Sequence, residues 1–148
     1  MIKKTILITG SCGRIGSAIA DSLFQKKIYN LILVDSDGIK LTKQKKKFIS
    51  SSVKFLLINL NTTKNIDLLF TRSLKLFKKI DAAIHCAYPK SKGWGAKFEL
   101  LKENFLKEDL FNHLGITIIF CQKILKHFLK FKGGNLILIS SVQGVQPP

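Results

Sequence analysis

The chain has 148 residues, enough for one domain that buries roughly two thirds of its unfolded surface. Apolar residues make up 46% of it, yet no run approaches the ~18 uncharged apolar residues of a membrane span, and the apolar part of the basic start MIKKTILITG is too short for a signal peptide. The formal charge of +16 invites a polyanion, but only Arg14 and Arg72 are arginines and the lysines spread over nearly every helix, which argues against specific nucleic-acid binding.

In chain order, KTILIT (Lys4 to Thr9) is a compact β-rich run and predicts a first strand, followed by the turn TGSCGRIG. In IGSAIADSLFQKK, the spacing of Ile15, Ala18, Ile19, Ser22 and Leu23 predicts a helix with those residues on one face. NLILVD predicts a second strand. A helical segment follows within Ile39 to Phe48, carrying the one dense basic cluster, KQKKKF, which has no interleaved aromatics for base stacking. VKFLLINL predicts a third strand, and NIDLLFTRSLKLF repeats Ile66, Leu69, Phe70, Leu74 and Phe77 at helical period. DAAIHCA predicts a fourth strand, running into the Pro- and Gly-containing loop YPKSKGWGAK. A long fourth helix is expected over much of Glu108 to Lys132, ended by Gly133 and Gly134, and NLILIS predicts a fifth strand.

These strands are near-continuous apolar runs, the pattern of strands covered on both faces and hence of a parallel sheet. Strict β-α alternation with right-handed crossovers then gives a doubly wound α/β domain over residues 1–148, with expected strand order 3-2-1-4-5. Cys12, Cys86 and Cys121 are odd in number and far apart, which predicts reduced thiols and a cytoplasmic protein. Together with His113 and His127 they show no metal-ligand spacing.

The turn between the first strand and the first helix has the makings of an anion site. Gly10 allows the tight turn, Gly13 lets the backbone approach a pyrophosphate, and Gly16 lets the helix pack close to the sheet, while free N–H groups at the helix start face the ligand. The second strand ends in Asp35, where an acid can accept the hydroxyls of an adenosine ribose. This combination predicts a dinucleotide site with NAD preferred over NADP, because a 2′-phosphate would meet the like charge of Asp35. Arg14, in the loop, is the residue that could favour the phosphate instead.

These residues resemble the short-chain dehydrogenase/reductase family over essentially the whole chain. TGSCGRIG follows the family's Thr-Gly-x-x-Gly-x-x-Gly spacing, so the resemblance implies cofactor contacts from Thr9, Gly10, Gly13, Arg14, Ile15 and Gly16. INL places Asn59 and Leu60 where the family touches adenine, with Asn59 in place of the usual Asp. HCAY places Ala87 at the family's Asn-Asn-Ala-Gly position and departs from it elsewhere; His85 there reads as a satisfied strand-end polar group. NHLG and LILISSVQG imply catalytic roles for Asn112 in a proton relay and for Ser141 in orienting substrate. The segments CAYPKSKGWGAKFE, NHLG and ISSVQGV are similar to a bacterial subgroup associated with flagellin modification and sialic-acid-like sugar biosynthesis. The chemistry implied is hydride transfer between a nicotinamide and a carbonyl or alcohol carbon of a small molecule.

The family's Tyr-x-x-x-Lys pair, one helical turn apart and after the serine strand, has no counterpart in that position. Tyr88 and Lys92 satisfy the letters, but they precede Ser141 and enclose Pro89. The resemblance therefore implies a Rossmann fold truncated after its fifth strand, with the substrate pocket beyond Pro148 and a chain inactive by itself. A non-catalytic NAD-binding module is the alternative reading. An exposed fifth strand and a fourth-helix stripe of Phe120, Ile124, Phe128 and Phe131 with too few partners predict self-association.

Overall fold

A computed structural model of the chain describes residues 2–141. Five parallel strands run in the order β3-β2-β1-β4-β5, with β1 at Lys4–Thr9, β2 at Tyr29–Asp35, β3 at Val53–Leu57, β4 at Ala82–His85 and β5 at Asn135–Leu138. The chain winds outwards from β1 to β3, then crosses back to place β4 on the other side of β1. That reversal leaves a crevice at the carboxyl ends of β1 and β4, the place where open α/β sheets bind ligands. The fold class and strand order expected from the sequence are those observed.

Alternation along the strands feeds two cores. Leu7, Ile32 and Val34 face one side of the sheet under α3 (Thr63–Leu76) and α5 (Ile116–Lys130). Ile6, Ile8, Leu31 and Leu33 face the other side, under α1 (Arg14–Gln25) and α2 (Gly38–Lys47). Two of these helices start on side-chain caps. Asp37 accepts from the Lys40 amide at 2.9 Å to open α2, and Thr62 accepts from the Asn65 amide at 3.2 Å to open α3. The face expected for α3 is the face it buries.

Three expectations change. The face of α1 against the sheet is Gly16 and Ala20, buried, with Ile19, Leu23 and Phe24 half-buried, while Ile15, Ala18 and Ser22 face solvent. The small residues Gly16 and Ala20 let this helix sit closer to the sheet than its branched residues would allow, which turns the face by one position. The long fourth helix is interrupted: α4 (Glu103–Leu110) runs into a π-turn at Phe111–Gly115 before α5 begins. Within the expected apolar stripe, Phe120 and Ile124 are fully buried and Phe128 nearly so, with Phe70 6 Å or less from Phe120 (ring centroids 5.7 Å). Those three have their partners, whereas Phe131, the last of the stripe, is left more than a third exposed. Leu114, Ile118, Leu125 and Leu129 are also left in solvent along this helical stretch.

Strand β5 is the edge of the described sheet, with Ile137 and Leu138 about half exposed. Residues 142–148, which include the rest of the SSVQGV segment and Pro148, lie outside the described residues. Among the described residues no helix is long and apolar enough to cross a membrane.

Candidate functional site

The crevice is framed from below by the glycine turn. Gly10 has φ +63°, a left-handed conformation that penalises any side chain, and a Cβ there would lie 2.6 Å from the Cys86 carbonyl oxygen. Its own carbonyl accepts from the Gly13 amide at 3.0 Å, and the Gly13 carbonyl accepts from Ser17 at 2.9 Å, so the turn passes directly into α1. A Cβ on Gly16 would stand 2.2 Å from the Gly10 carbonyl oxygen, which fixes glycine there by contact alone. Helix α1 has no side-chain cap and no acidic residue in its first turn, so its partial positive end is open to an anion.

The turn is tied to its surroundings by side chains that the sequence reading did not single out. Ser11 Oγ donates to Gln44 Oε1 at 3.0 Å, and Gln44 Nε2 donates to the Ser11 carbonyl at 2.7 Å, a two-bond clasp onto α2. Asp35 does the same from β2. One carboxylate oxygen accepts from the Cys12 amide at 2.8 Å and the other from the Asp37 amide at 3.0 Å. A carboxylate has about four lone-pair sites, so two remain for a ligand. The carboxylate also acts on Cys12: burial first, then the Asp35 charge, pushes the thiol up to about 11, and it stays protonated at neutral pH.

A cleft of about 350 Å³ opens above this frame, within the range of small-ligand sites. It brings together Gly10, Gly13, Asp35, Asn59, Leu60 and Ala87 of the residues expected from the sequence. Thr9 lies beneath the cleft, fully buried, and Gly16 is buried behind the turn. Arg14 and Ile15 sit exposed on the first turn of α1 and outside the lining. Asn59 follows β3 on the chain leaving it, with its carbonyl held by Asn65 Nδ2 at 2.7 Å. Lys40 also lines the cleft, paired with Asp37 at 3.0 Å. Ser141 lies exposed beyond the end of β5, and Asn112 is buried on the π-turn; neither belongs to the lining.

The far wall of the cleft is Cys86 to Pro89, and here the structure adds an aromatic cluster. The Tyr88 ring stacks on His113 with centroids 3.9 Å apart and planes 8° from parallel. Trp94 meets both rings edge-on, at 5.3 Å and 5.0 Å. Tyr88 lies on irregular chain and Lys92 in a turn, so the two do not form the one-turn pair of a helix. The loop beyond is anchored by Asp109, which accepts from the Ser91 amide at 2.7 Å and from its hydroxyl at 2.8 Å.

His85, at the end of β4, is buried between the layers. Thr9 Oγ1 is 2.8 Å from its Nδ1, Thr117 Oγ1 is 3.5 Å from its Nε2, and its ring stacks on Phe120 at 4.6 Å. Burial lowers its pKa to about 4, so the ring is neutral at pH 7.

Comparison with known proteins agrees with this architecture. The family profile described as short chain dehydrogenase matches residues 4–148. The post-translational flagellin modification protein A of Campylobacter coli is 32% identical over 150 residues, covering 98% of this chain and 58% of that protein. The chain thus spans a little over half the length of this relative. Among solved structures, ElxO with NADP bound superposes with a TM-score of 0.83 at 20% identity, over 99% of this chain and 59% of that one. A 3-ketoacyl-(acyl-carrier-protein) reductase from Brucella melitensis complexed with NADH gives a TM-score of 0.80 at 17% identity, over 98% of this chain and 60% of that one.

Proposed function

The chain belongs to the short-chain dehydrogenase family, and from that premise we propose that it binds NAD in the cleft at the carboxyl ends of β1, β2 and β4. The protein then transfers hydride to or from a carbonyl or alcohol carbon, on a sugar-related substrate. The observation that carries the cofactor reading is the placement of Asp35. Its carboxylate borders the same cleft as the glycine turn, with two acceptor sites still free for a ribose diol. The open start of α1 supports a diphosphate at the turn, and the glycines there leave backbone where a Cβ would stand.

When bound, the nicotinamide cofactor supplies the hydride chemistry; the residues of this chain bind and orient it. Gly10 and Gly13 offer backbone to the diphosphate, Asp35 accepts from the ribose, and Asn59 with Leu60 flanks the adenine. Thr9 and Ala87 set the floor. Arg14 and Ile15 contribute amides at the start of α1. Ser141 and Asn112 are the candidates to orient substrate and relay a proton, working with a Tyr–Lys pair that Tyr88 and Lys92 do not provide. The sugar-related substrate is what the resemblance to the flagellin-modification and sialic-acid-like sugar subgroup implies, and the Campylobacter coli relative, whose name records flagellin modification, supports that subgroup. We place the chain in the cytoplasm, where its three free cysteines stay reduced.

Titration calorimetry of the full chain against NAD and NADP tests the cofactor reading. NAD binds more tightly, and Asp35→Ser weakens NAD about tenfold and NADP by less, because both lose the acceptor that holds the turn while only NADP is relieved of a repulsion. Undiminished discrimination in the variant removes the role of Asp35. A second expectation concerns assembly. The edge that β5 forms in the described sheet and the exposed leucines of α5 drive self-association, so sedimentation at rising concentration shows species larger than the monomer. A single monomeric boundary at every concentration overturns it.

A further inference from the structure

One continuous polar chain runs beneath the cleft, and the donors along it can be assigned. The Ala87 amide donates to Thr9 Oγ1 at 3.4 Å, and the same oxygen lies 2.8 Å from His85 Nδ1, to which its hydroxyl can donate. With Nδ1 accepting, a neutral imidazole carries its proton on Nε2, and that proton points at Thr117 Oγ1. The Thr117 hydroxyl is itself committed as a donor, to the His113 carbonyl at 2.6 Å. His113 in turn holds the Pro89 carbonyl through its Nε2 at 2.7 Å, with Tyr88 stacked on its ring. Every step has one donor and one acceptor, and only one tautomer of His85 closes the sequence.

The chain ends on the π-turn for a structural reason. There the Ile116 amide reaches back five residues to the Phe111 carbonyl. The Thr117 side chain bonds the His113 carbonyl one step further on, and a threonine hydroxyl bonded to the carbonyl four residues earlier bends a helix. The neighbours of the imidazole named above, Thr9, Thr117 and Phe120, are uncharged, so geometry and not charge selects the tautomer.

We propose that His85 is a positioning residue: as its Nε2–H tautomer it joins the strand end under the glycine turn to the π-turn carrying Asn112, and so fixes the Tyr88 wall of the cleft through the His113 and Trp94 rings packed on it. Its effect on nucleotide affinity rests on the cofactor reading above, but its geometry does not. The floor of the cleft, at Thr9, and the π-turn that carries the candidate proton-relay residue are held in register by one imidazole.

Two readouts on the full chain at pH 7, without nucleotide, test the geometry. Long-range proton–nitrogen spectra of the histidine rings show His85 protonated on Nε2 with Nδ1 as an acceptor. Trp94, the one tryptophan of the chain, reports the wall: Thr117→Val, which removes the hydroxyl and keeps the branched shape, shifts its emission, while Thr117→Ser keeps the wild-type spectrum. With NAD added, Thr117→Val binds about fivefold more weakly and Thr117→Ser binds as wild type. A His85 protonated on Nδ1 overturns the proposal, and so does a folded Thr117→Val protein with unchanged Trp94 emission. If no variant and no wild-type chain binds NAD, the cofactor reading fails while the first two readouts still decide the proposal.

Discussion

Gly16→Ala lowers the melting temperature of the chain by about 10 °C or more, because the added methyl has nowhere to go. Its Cβ would lie 2.2 Å from the Gly10 carbonyl oxygen, 2.9 Å from the Gly10 carbonyl carbon and 3.1 Å from the Ser11 Cα. All three are backbone atoms in the turn itself, so relief requires α1 to move off the sheet. Overpacking of this kind costs about 3 kcal/mol, which in a domain of this length is a fall of that order in Tm. Gly13→Ala is the contrast. There the nearest atom is the Gly10 carbonyl oxygen at 3.2 Å, a contact the turn can absorb by a few tenths of an ångström. Gly13 lines the cleft, so this variant melts close to wild type and loses nucleotide affinity. Thermal melts by circular dichroism separate the two effects, and equal melting of the two variants contradicts the contact argument.

The second large effect is loss of stability in mild acid. His85 has its folded pKa lowered by burial to about 4, against 6.5 for an unfolded histidine. The unfolded chain therefore binds the proton first as pH falls. Stability from this group is fully present above pH 6.5 and is lost between 6.5 and 4, a change of about 3 kcal/mol for a fully desolvated ring. His127 adds in the same direction, because burial lowers it. The carboxylates with shifted pKa values, Asp37 and Asp81, are both lowered from 3.8 and so act below this window. Urea melts at pH 7, 5.5 and 4.5 show the decline. In His85→Asn the decline is shallower by one proton's worth, whatever its starting stability, and an unchanged slope assigns the acid sensitivity elsewhere.

What could be read from residues alone follows the physics of each signal. The strands are legible because apolar runs bounded by Gly, Asp and Pro have few alternatives, and their alternation with helical periods dictates the winding. Gly10, Gly13, Asp35, Asn59, Leu60 and Ala87 come to one cleft because all sit at strand ends, and a parallel sheet brings every such end to the same edge. The helices are less legible. Periodicity places the stripe of α1 one position off because it weights Ile15 by hydrophobicity, whereas close packing selects the small Gly16 and Ala20. The π-turn leaves almost no trace in FNHLG, since one added residue in a helix changes the register and not the composition. The clasp between Ser11 and Gln44 and the ring stack of Tyr88 on His113 join residues 33 and 25 positions apart, a range at which no local pattern speaks. His85 reads from sequence as a satisfied polar group. It is one, and the same bonds that satisfy it thread the two sides of the crevice together.

The double hold of Asp35 on the Cys12 and Asp37 amides also bears on how such a chain can change by mutation. A drift in coenzyme preference would most simply begin at this acid, with Lys40 close by to welcome a phosphate. Yet the first step strips two amide donors of their acceptor and slackens the loop that every cofactor needs. The route is epistatic: a new acceptor for those amides has to arrive before the charge at position 35 can leave without loosening the glycine turn.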